Sequence, residues 1–335
     1  MLKISFQELV DTFERILLSR EVDPELAHLA AMNFAETSAD GVYSHGVNRF
    51  PRVIEYLDKG VVDGKAKPEC ISAFGGFERW DGHMGLGNAN ARKAMDRACE
   101  LAKLHGIGVV AIGNTNHWMR GGAYGWQAAA NGCIGMCWTN TMPNMPAWGG
   151  MEPKVGNNPF IIAIPKSDGR HIVVDMAMSQ FAYGKIELAR MKGEKLPVPG
   201  GWDSEGNVTT DPVEIEKTRR VLPIGYWKGS GMSIALDLVA AVLSGANSVT
   251  DIGRKYTEEV GLSQVLIAID PEAMNTKEFT DHIIDIVVED IKASTPEKEG
   301  GKIFYPGEIE ITTREDHMKN GIPVLEEVWD KIQSL

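Results

Sequence analysis

The chain has 335 residues, of which 43% are hydrophobic and 24% charged, and its formal net charge is −12. This length and composition are ordinary for a globular protein of one large or two moderate domains, with enough chain to bury a sizeable core. The excess of negative charge argues against nucleic acid or an anionic membrane as the main partner, so an anionic ligand needs a local cluster of positive side chains.

The compartment and metal content follow from features that the sequence lacks. The start of the chain has no apolar run of the signal-peptide kind, and no segment approaches the roughly 18 consecutive apolar residues of a membrane-spanning helix. The four cysteines are few and scattered, which is typical of a reducing compartment. We therefore expect a cytoplasmic protein without a membrane partner. The eight histidines show no paired metal-ligand spacing, so the sequence predicts no metal site.

The first 60 residues have a helical pattern. Ser5 and Glu8 form a capping box ahead of apolar residues at helical spacing. Asp23 followed by Pro24 predicts the start of a second helix, which runs toward Gly41.

The run Ser44-His45-Gly46-Val47-Asn48-Arg49-Phe50-Pro51-Arg52 places an imidazole and a guanidinium four positions apart. Pro51 is tolerated only in the first turn of a helix, so we expect a third helix to begin near Asn48 and His45 to lie in the loop before it. Histidine suits proton transfer near neutral pH, and the planar donor fork of arginine matches a carboxylate. The alternative is a surface histidine beside a solvated arginine.

From about residue 75 the pattern alternates between strands and helices, which predicts an α/β architecture. Residues 193–212 are rich in Gly, Pro and Asp and predict a long polar loop. The remaining expected elements are strands near 107–112, 133–139, 161–164, 172–175 and 265–269, and helices near 88–105, 122–131, 179–191 and 230–243.

Two glycine-containing turns are candidates for binding a phosphate. Residues 85–90 resemble the dinucleotide fingerprint but lack its third glycine and have no convincing strand directly ahead, which favours an ordinary turn at the start of a helix. Residues 227–233 combine two glycines and Lys228 with a following helix, whose first N–H groups can hold an anion. An ordinary glycine-rich helix start is the alternative there.

Two polar residues at strand ends are further candidates. His117 follows a predicted strand, where α/β proteins place ligands, although it could equally cap the next helix. Asp175 ends an apolar run, and a carboxylate at a buried strand end needs a partner. Holding a histidine is one such use, and a hydrogen bond to a loop is the other.

With these residues assembled, the chain resembles the malate/L-lactate/sulfolactate dehydrogenase family, which is distinct from the Rossmann-type dehydrogenases. The resemblance extends over essentially the whole length and is carried by residues 44–47, 116–117, 175–179, 184–187 and 306–308. It implies an α/β fold in which a nonstandard, non-Rossmann nicotinamide-binding domain on a mixed sheet is joined to mainly helical N- and C-terminal parts. It also implies a homodimer and NADH as cofactor, with NADPH as the alternative.

The resemblance divides the chain into a helical N-terminal region (1–70), an α/β cofactor- and substrate-binding region (71–290) and a C-terminal region (291–335) that packs back on the helical part. By the same resemblance, His45 is the proton donor and Arg49 anchors the carboxylate of a 2-keto acid, and Asp175 is our candidate for orienting the His45 ring. The other implied substrate-pocket residues are Ser44, His117, Asn140 and Lys185. The implied cofactor contacts are His171, Ile172, Val173, Val174, Asp175, Met176, Ala177, Trp227, Lys228, Gly307, Glu308 and Ile309.

Within the family, residues 41–52 and 225–233 favour a member that reduces a 2-keto sugar acid. Another reductase of the same family, acting on malate, lactate, ureidoglycolate or a cyclic imine, is the nearest alternative. A noncatalytic sugar-acid binding protein is the alternative of a different class.

Overall fold

The computed structural model describes residues 1–335 and is built around a seven-stranded mixed sheet. The helices are α1 Phe6–Leu18, α2 Pro24–Ala39, α3 Phe50–Asp58, α4 Gly87–His105, α5 Gly122–Ala130, α6 Tyr183–Met191, α7 Pro212–Thr218, α8 Trp227–Ser244, α9 Val249–Lys255, α10 Lys277–Ala293, α11 Glu308–Asn320 and α12 Glu326–Gln333. The strands are β1 Leu2–Ile4, β2 Glu69–Phe74, β3 Phe77–Asp81, β4 Ile107–Asn116, β5 Ile134–Thr139, β6 Met145–Pro146, β7 Pro153–Val155, β8 Phe160–Ile164, β9 Ile172–Met176, β10 Gly201–Trp202, β11 Val208–Thr209, β12 Val260–Ile269 and β13 Ile322–Val324.

The main sheet has the order β2-β3-β4-β12-β5-β8-β9, and only the β3-β4 pair is parallel. Alternate residues of its strands face opposite sides, as the pleat requires. In β4, Val110 and Ile112 pack with α4 and α5 on one side, while Ala111 joins Leu236 of α8 on the other. The sheet is therefore covered by helices on both faces, and β9 lies at its edge.

A second layer is formed by the N-terminal helices. The Ser5 and Asp23 side chains accept hydrogen bonds from the first backbone amides of α1 and α2, as the capping pattern predicts. Phe13, Phe34 and Phe50 meet at the centre of this layer, with ring centroids 4.3–5.9 Å apart. The end of the chain packs into the same core, because β13 pairs antiparallel with β1 and α12 follows it.

Some details of local structure were missed by the sequence analysis or differ from it. The β2-β3 hairpin was not foreseen, because every residue of β2 is exposed and leaves no alternating pattern. The loop predicted over 193–212 contains the short antiparallel pair β10 and β11. The helix expected from Ser230 begins at Trp227, which places Lys228 inside its first turn.

A strand does lie ahead of the glycine-containing turn at residues 85–90, since β3 ends at Asp81. The expected helix start is present, because α4 begins at Gly87. A Cβ atom on Gly87 would lie 2.0 Å from the Asn116 carbonyl oxygen, so this glycine lets α4 approach the end of β4. No single helix is both long enough and apolar enough to cross a membrane, and only α8 and α9 together meet those criteria, with a 77° bend between them.

Candidate active site

His45 lies in a tight turn that precedes α3. Pro51 falls in the first turn of that helix, as predicted, so the chain reverses direction before it. The turn is fixed against α2, because the Val47 N–H donates to Ser38 Oγ at 2.9 Å and a Cβ on Gly46 would meet the same oxygen at 2.4 Å. His45 is therefore presented from a rigid loop rather than from a helix face.

The environment of His45 favours its neutral form in the free protein. Burial lowers the pKa of the His45 imidazole, the Arg49 and Arg120 charges lower it further, and the Asp175 carboxylate opposes them. The Ser44 hydroxyl lies 3.0 Å from His45 Nδ1 and fixes the ring on that side. An anion bound nearby would raise the proton affinity of this histidine.

His117 is brought directly to His45. The two imidazole rings are stacked with centroids 6.0 Å apart and an interplanar angle of 21°. The Met119 N–H donates to His117 Nδ1 at 3.0 Å, so the neutral ring carries its proton on Nε2. Burial holds the pKa of His117 well below its ordinary value, and the neighbouring Arg49 and His45 lower it as well.

Arg49 meets a carboxylate that sequence reasoning missed. Glu259 immediately precedes β12, whose first residue, Val260, pairs with Asn116 at the end of β4 and so places Glu259 beside His117. Glu259 Oε2 lies 3.5 Å from Arg49 Nη2 and 3.9 Å from His117 Nε2. Burial raises the pKa of the Glu259 carboxyl, while the Arg49 charge opposes that rise.

Asp175 does not hold the His45 ring by a hydrogen bond. The strand end is more open than expected, with the carboxylate 27% exposed. Its Oδ2 accepts the Gly122 N–H at 2.8 Å and lies 3.7 Å from Arg120 Nε. Its hydrogen bond thus goes to the first residue of α5 rather than to the His45 ring or to a loop, while its charge still favours protonation of His45.

Arg120 is the second residue that the sequence did not single out. Its guanidinium is 4% exposed and pairs with the buried Asp40 at the end of α2, which also pairs with Arg314 of α11. Glu310 lies 3.8 Å from the same guanidinium. This buried ion cluster joins the helical layer to the end of β9 beside His45.

Two of the expected substrate-pocket residues, Asn140 and Lys185, lie in different environments. Asn140 is fully buried, and its amide donates to Asp237 and the Asn247 carbonyl while its oxygen accepts the Ser263 N–H. These bonds commit Asn140 to holding the chain around β12, so it is not brought into the His45 cluster. Lys185 is exposed in the first turn of α6, where a Cβ on Gly184 would lie 3.3 Å from Ser44 Cβ.

The three segments expected to contact a cofactor meet along β9. Met178 and Gln180, just beyond β9, exchange backbone hydrogen bonds with Ile224 and Leu222, which brings the start of α8 to that end of the strand. Nearer the other end, the Val173 N–H donates to the Pro306 carbonyl at 3.0 Å, directly before Gly307. By the alternation of the pleat, the backbone groups of Asp175 then point along the same open edge.

The start of α8 is exposed and its entry is strained. Trp227 is 63% exposed, and the Lys228 ammonium lies 6.0 Å from its ring centroid. Tyr226, which precedes the helix, has φ 61° and ψ −115°, a conformation that costs a non-glycine residue about 1–3 kcal/mol and is found mainly at functional sites.

The segment at the start of α11 has mixed accessibility. Glu308 is buried, and its carboxylate accepts the Tyr305 N–H and the Lys292 ammonium. These bonds give Glu308 a structural role in the loop before α11, whereas the Ile309 side chain is 54% exposed. At the N-terminal end of β9, a cavity of about 560 Å³ lies between Trp126, His171 and Ile311.

These features suit a dinucleotide. The open edge of β9 offers backbone groups, the exposed Lys228 offers a positive charge to phosphates, and the cavity beside His171 has room for a nucleoside. Asp175, near the end of this edge, acts electrostatically on His45.

The family profile described as malate/L-lactate dehydrogenase matches residues 4–333. The chain belongs to this family. It is 47% identical over 334 residues to 2,3-diketo-L-gulonate reductase from Citrobacter koseri, with 100% of both chains covered. Of solved structures, sulfolactate dehydrogenase from Methanocaldococcus jannaschii superposes with a TM-score of 0.88 at 30% identity, covering 99% of this chain and 96% of that one. Malate dehydrogenase from Entamoeba histolytica gives 0.94 at 25% identity, with the same coverage.

Membership of the malate/L-lactate dehydrogenase family confirms three predictions. The family resemblance is confirmed over the whole chain, as are the α/β fold on a mixed sheet and the oxidoreductase class acting on a CH–OH group.

Proposed function

We propose that this enzyme reduces 2,3-diketo-L-gulonate at its C2 carbonyl to 3-dehydro-L-gulonate, with NADH as the reductant. The observation that carries the proposal is the cluster in which His45, of lowered pKa, stacks on His117 near the partly buried Arg49, with Asp175 acting on it from the end of β9. The name of the 47% identical relative supplies the substrate.

The chain's own residues account for binding, orientation and proton transfer. A reduced nicotinamide supplies a hydride when bound. Arg49 holds the C1 carboxylate in its donor fork, which places the neighbouring carbonyl beside His45. That carboxylate raises the proton affinity of His45, which then gives its Nε2 proton to the developing alkoxide, while Ser44 holds Nδ1. The Asp175 charge stabilises the imidazolium from the end of β9.

The preference for NADH over NADPH is supported by the charges around the cavity beside His171. Its lining contains more carboxylates than cations, and a ribose phosphate would meet them. Both arginines there are already paired, Arg92 with Glu36 and Arg314 with Asp40. The acidic lining residues are Glu36, Asp40, Asp96, Glu310 and Glu315.

A homodimer is supported by two exposed apolar helix faces. Isolated apolar side chains are common on surfaces, but contiguous faces of this kind are typical of subunit contacts. They comprise Met232, Ile234, Leu238, Val239 and Val242 of α8 and Phe279, Ile283, Ile286, Val287 and Ile291 of α10. Light scattering should give twice the 36.7 kDa of one chain. We place the enzyme in the cytoplasm, for which the free thiols are suited.

The decisive experiment measures NADH oxidation by the purified enzyme with 2,3-diketo-L-gulonate as substrate. The same assay is run separately with the alternative substrates oxaloacetate, pyruvate, the keto acid derived from ureidoglycolate and a cyclic imine. We expect the highest kcat/KM with the diketo acid, and a lower value with NADPH than with NADH. Faster turnover of another substrate in the panel would assign that substrate instead. Binding of the sugar acid without any NADH consumption would identify a noncatalytic binding protein.

Replacing Arg49 by lysine should weaken substrate binding. A point charge replaces the planar fork, and the loss of one hydrogen bond to a charged group, about 1.5–3 kcal/mol, raises KM about tenfold or more. The matched control is Arg52→Lys, since Arg52 is exposed in α3, which Arg49 directly precedes. An unchanged KM in Arg49→Lys would show that the carboxylate is held elsewhere.

A further inference from the structure

Glu259 is a largely buried carboxylate in the His45 cluster, and the mechanism above assigns it no role. Its side chain is 15% exposed, and it touches both Arg49 and His117, which flank His45. Burying an acid there lowers stability unless it has partners. The Arg49 charge and a backbone hydrogen bond from Met142 favour the ionised form of Glu259, while His117 Nε2 lies 3.9 Å away. The 3.5 Å contact from Arg49 is at the outer limit of a hydrogen bond.

The backbone places this carboxylate in the site. The pairing of β12 with β4 is irregular between Val260 and Leu262 and again between Leu262 and Gln264, and Gly261 has φ +69°. Irregularities of this kind redirect side chains and are enriched beside active sites. Here the strand enters the sheet so that Glu259 turns toward His117 rather than toward solvent.

The chemistry of the Glu259 carboxylate limits which ligand groups can bind next to it. An ionised carboxylate only accepts hydrogen bonds, and its two oxygens have about four acceptor positions. A ligand hydroxyl can fill such a position, whereas a second ligand carboxylate or sulfonate would meet repulsion at low dielectric. Any keto acid whose carboxylate is bound by the Arg49 guanidinium lies close to Glu259, because the same guanidinium contacts Glu259.

We propose that Glu259 is a specificity-determining residue, which accepts a hydroxyl of a polyhydroxylated keto acid and disfavours keto acids that carry a second negative group. This role rests on the proposed function, since it presumes that Arg49 holds the C1 carboxylate. It names the substrate class of the site as monoanionic and hydroxylated.

The test compares the wild-type enzyme with Glu259→Gln and Glu259→Asp. Reduction of 2,3-diketo-L-gulonate gives KM, and competitive inhibition of that reaction gives Ki for 2-oxobutyrate and oxaloacetate, which differ by one carboxylate. We expect Glu259→Gln to raise KM for the diketo acid about tenfold and to lower the ratio of the oxaloacetate Ki to the 2-oxobutyrate Ki by a similar factor. Glu259→Asp keeps the charge and should retain the wild-type Ki ratio.

The control is Glu258→Gln, which removes the same charge from the neighbouring residue that faces Lys59. If Glu259 only supports Arg49, both Ki values and the KM will rise together with an unchanged ratio, which would overturn the proposal. Absence of keto-acid reduction by the wild-type enzyme would instead reject the proposed function. Thermal unfolding of each variant establishes that the fold is intact.

Discussion

Replacing His45 by glutamine should reduce kcat for keto-acid reduction by about 10²- to 10⁴-fold, the usual contribution of a positioned general acid. Glutamine keeps a polar side chain in the turn but cannot deliver a proton to an alkoxide. NADH binding, measured by nicotinamide fluorescence, should change little, because the segments proposed to bind the cofactor lie along β9. The control is His28→Gln, an exposed histidine beside Glu14. Retention of more than a tenth of the wild-type kcat would contradict the acid role.

The pH dependence of kcat/KM provides a second test of the acid role of His45. Burial and Arg49 hold the pKa of His45 below the ordinary value of a histidine, so the acid form is lost as the pH rises through that lowered pKa. The kcat/KM for reduction should therefore fall with rising pH, and the reverse oxidation, which needs neutral His45, should increase over the same interval. His117 stacks on this ring and Glu259 contacts His117, so both titratable groups lie in the same cluster. The pH dependence that is due to His45 should be absent from the His45→Gln variant.

The sequence predicted those parts of the site that depend on local chemistry. Pro51 placed His45 in a turn before α3 because proline is excluded from a helix interior, and the structure agrees. His117 was found because it directly follows a strand. The helix that carries Lys228 was also expected, although its first turn begins earlier than the glycines suggested.

What the sequence could not predict are contacts between distant segments. Glu259 follows another glutamate and looks like part of a solvated charged turn, and only the pairing of β12 with β4 brings it to Arg49. Asp40 and Arg120 are 80 positions apart and carry no spacing signal. Asn140 was expected to line the pocket, yet it is buried and its side chain makes three hydrogen bonds, to α8, to β12 and to the loop after α8. Side-chain type indicates what a residue can do, while topology decides what it meets.

The buried ion cluster beside His45 should dominate the response of stability to single substitutions. Replacing Asp40 by alanine leaves the Arg120 guanidinium in the interior, with Asp175 and Glu310 at 3.7 and 3.8 Å as its remaining partners. Leaving a buried charge without its close partner costs about 3–5 kcal/mol, so the free energy of unfolding in urea should fall by that amount.

A double variant separates this charge effect from the loss of packing. In Asp40→Ala combined with Arg120→Met, the stranded cation is gone, so part of the lost stability should return and the two changes should be strongly non-additive. Glu55→Ala breaks the exposed Glu55–Lys59 pair and should leave the unfolding midpoint nearly unchanged. Simple additivity of the Asp40 and Arg120 substitutions would show that the two charges do not stabilise each other. Because Arg120 also contacts Asp175, Asp40→Ala should in addition shift the pH profile that His45 sets.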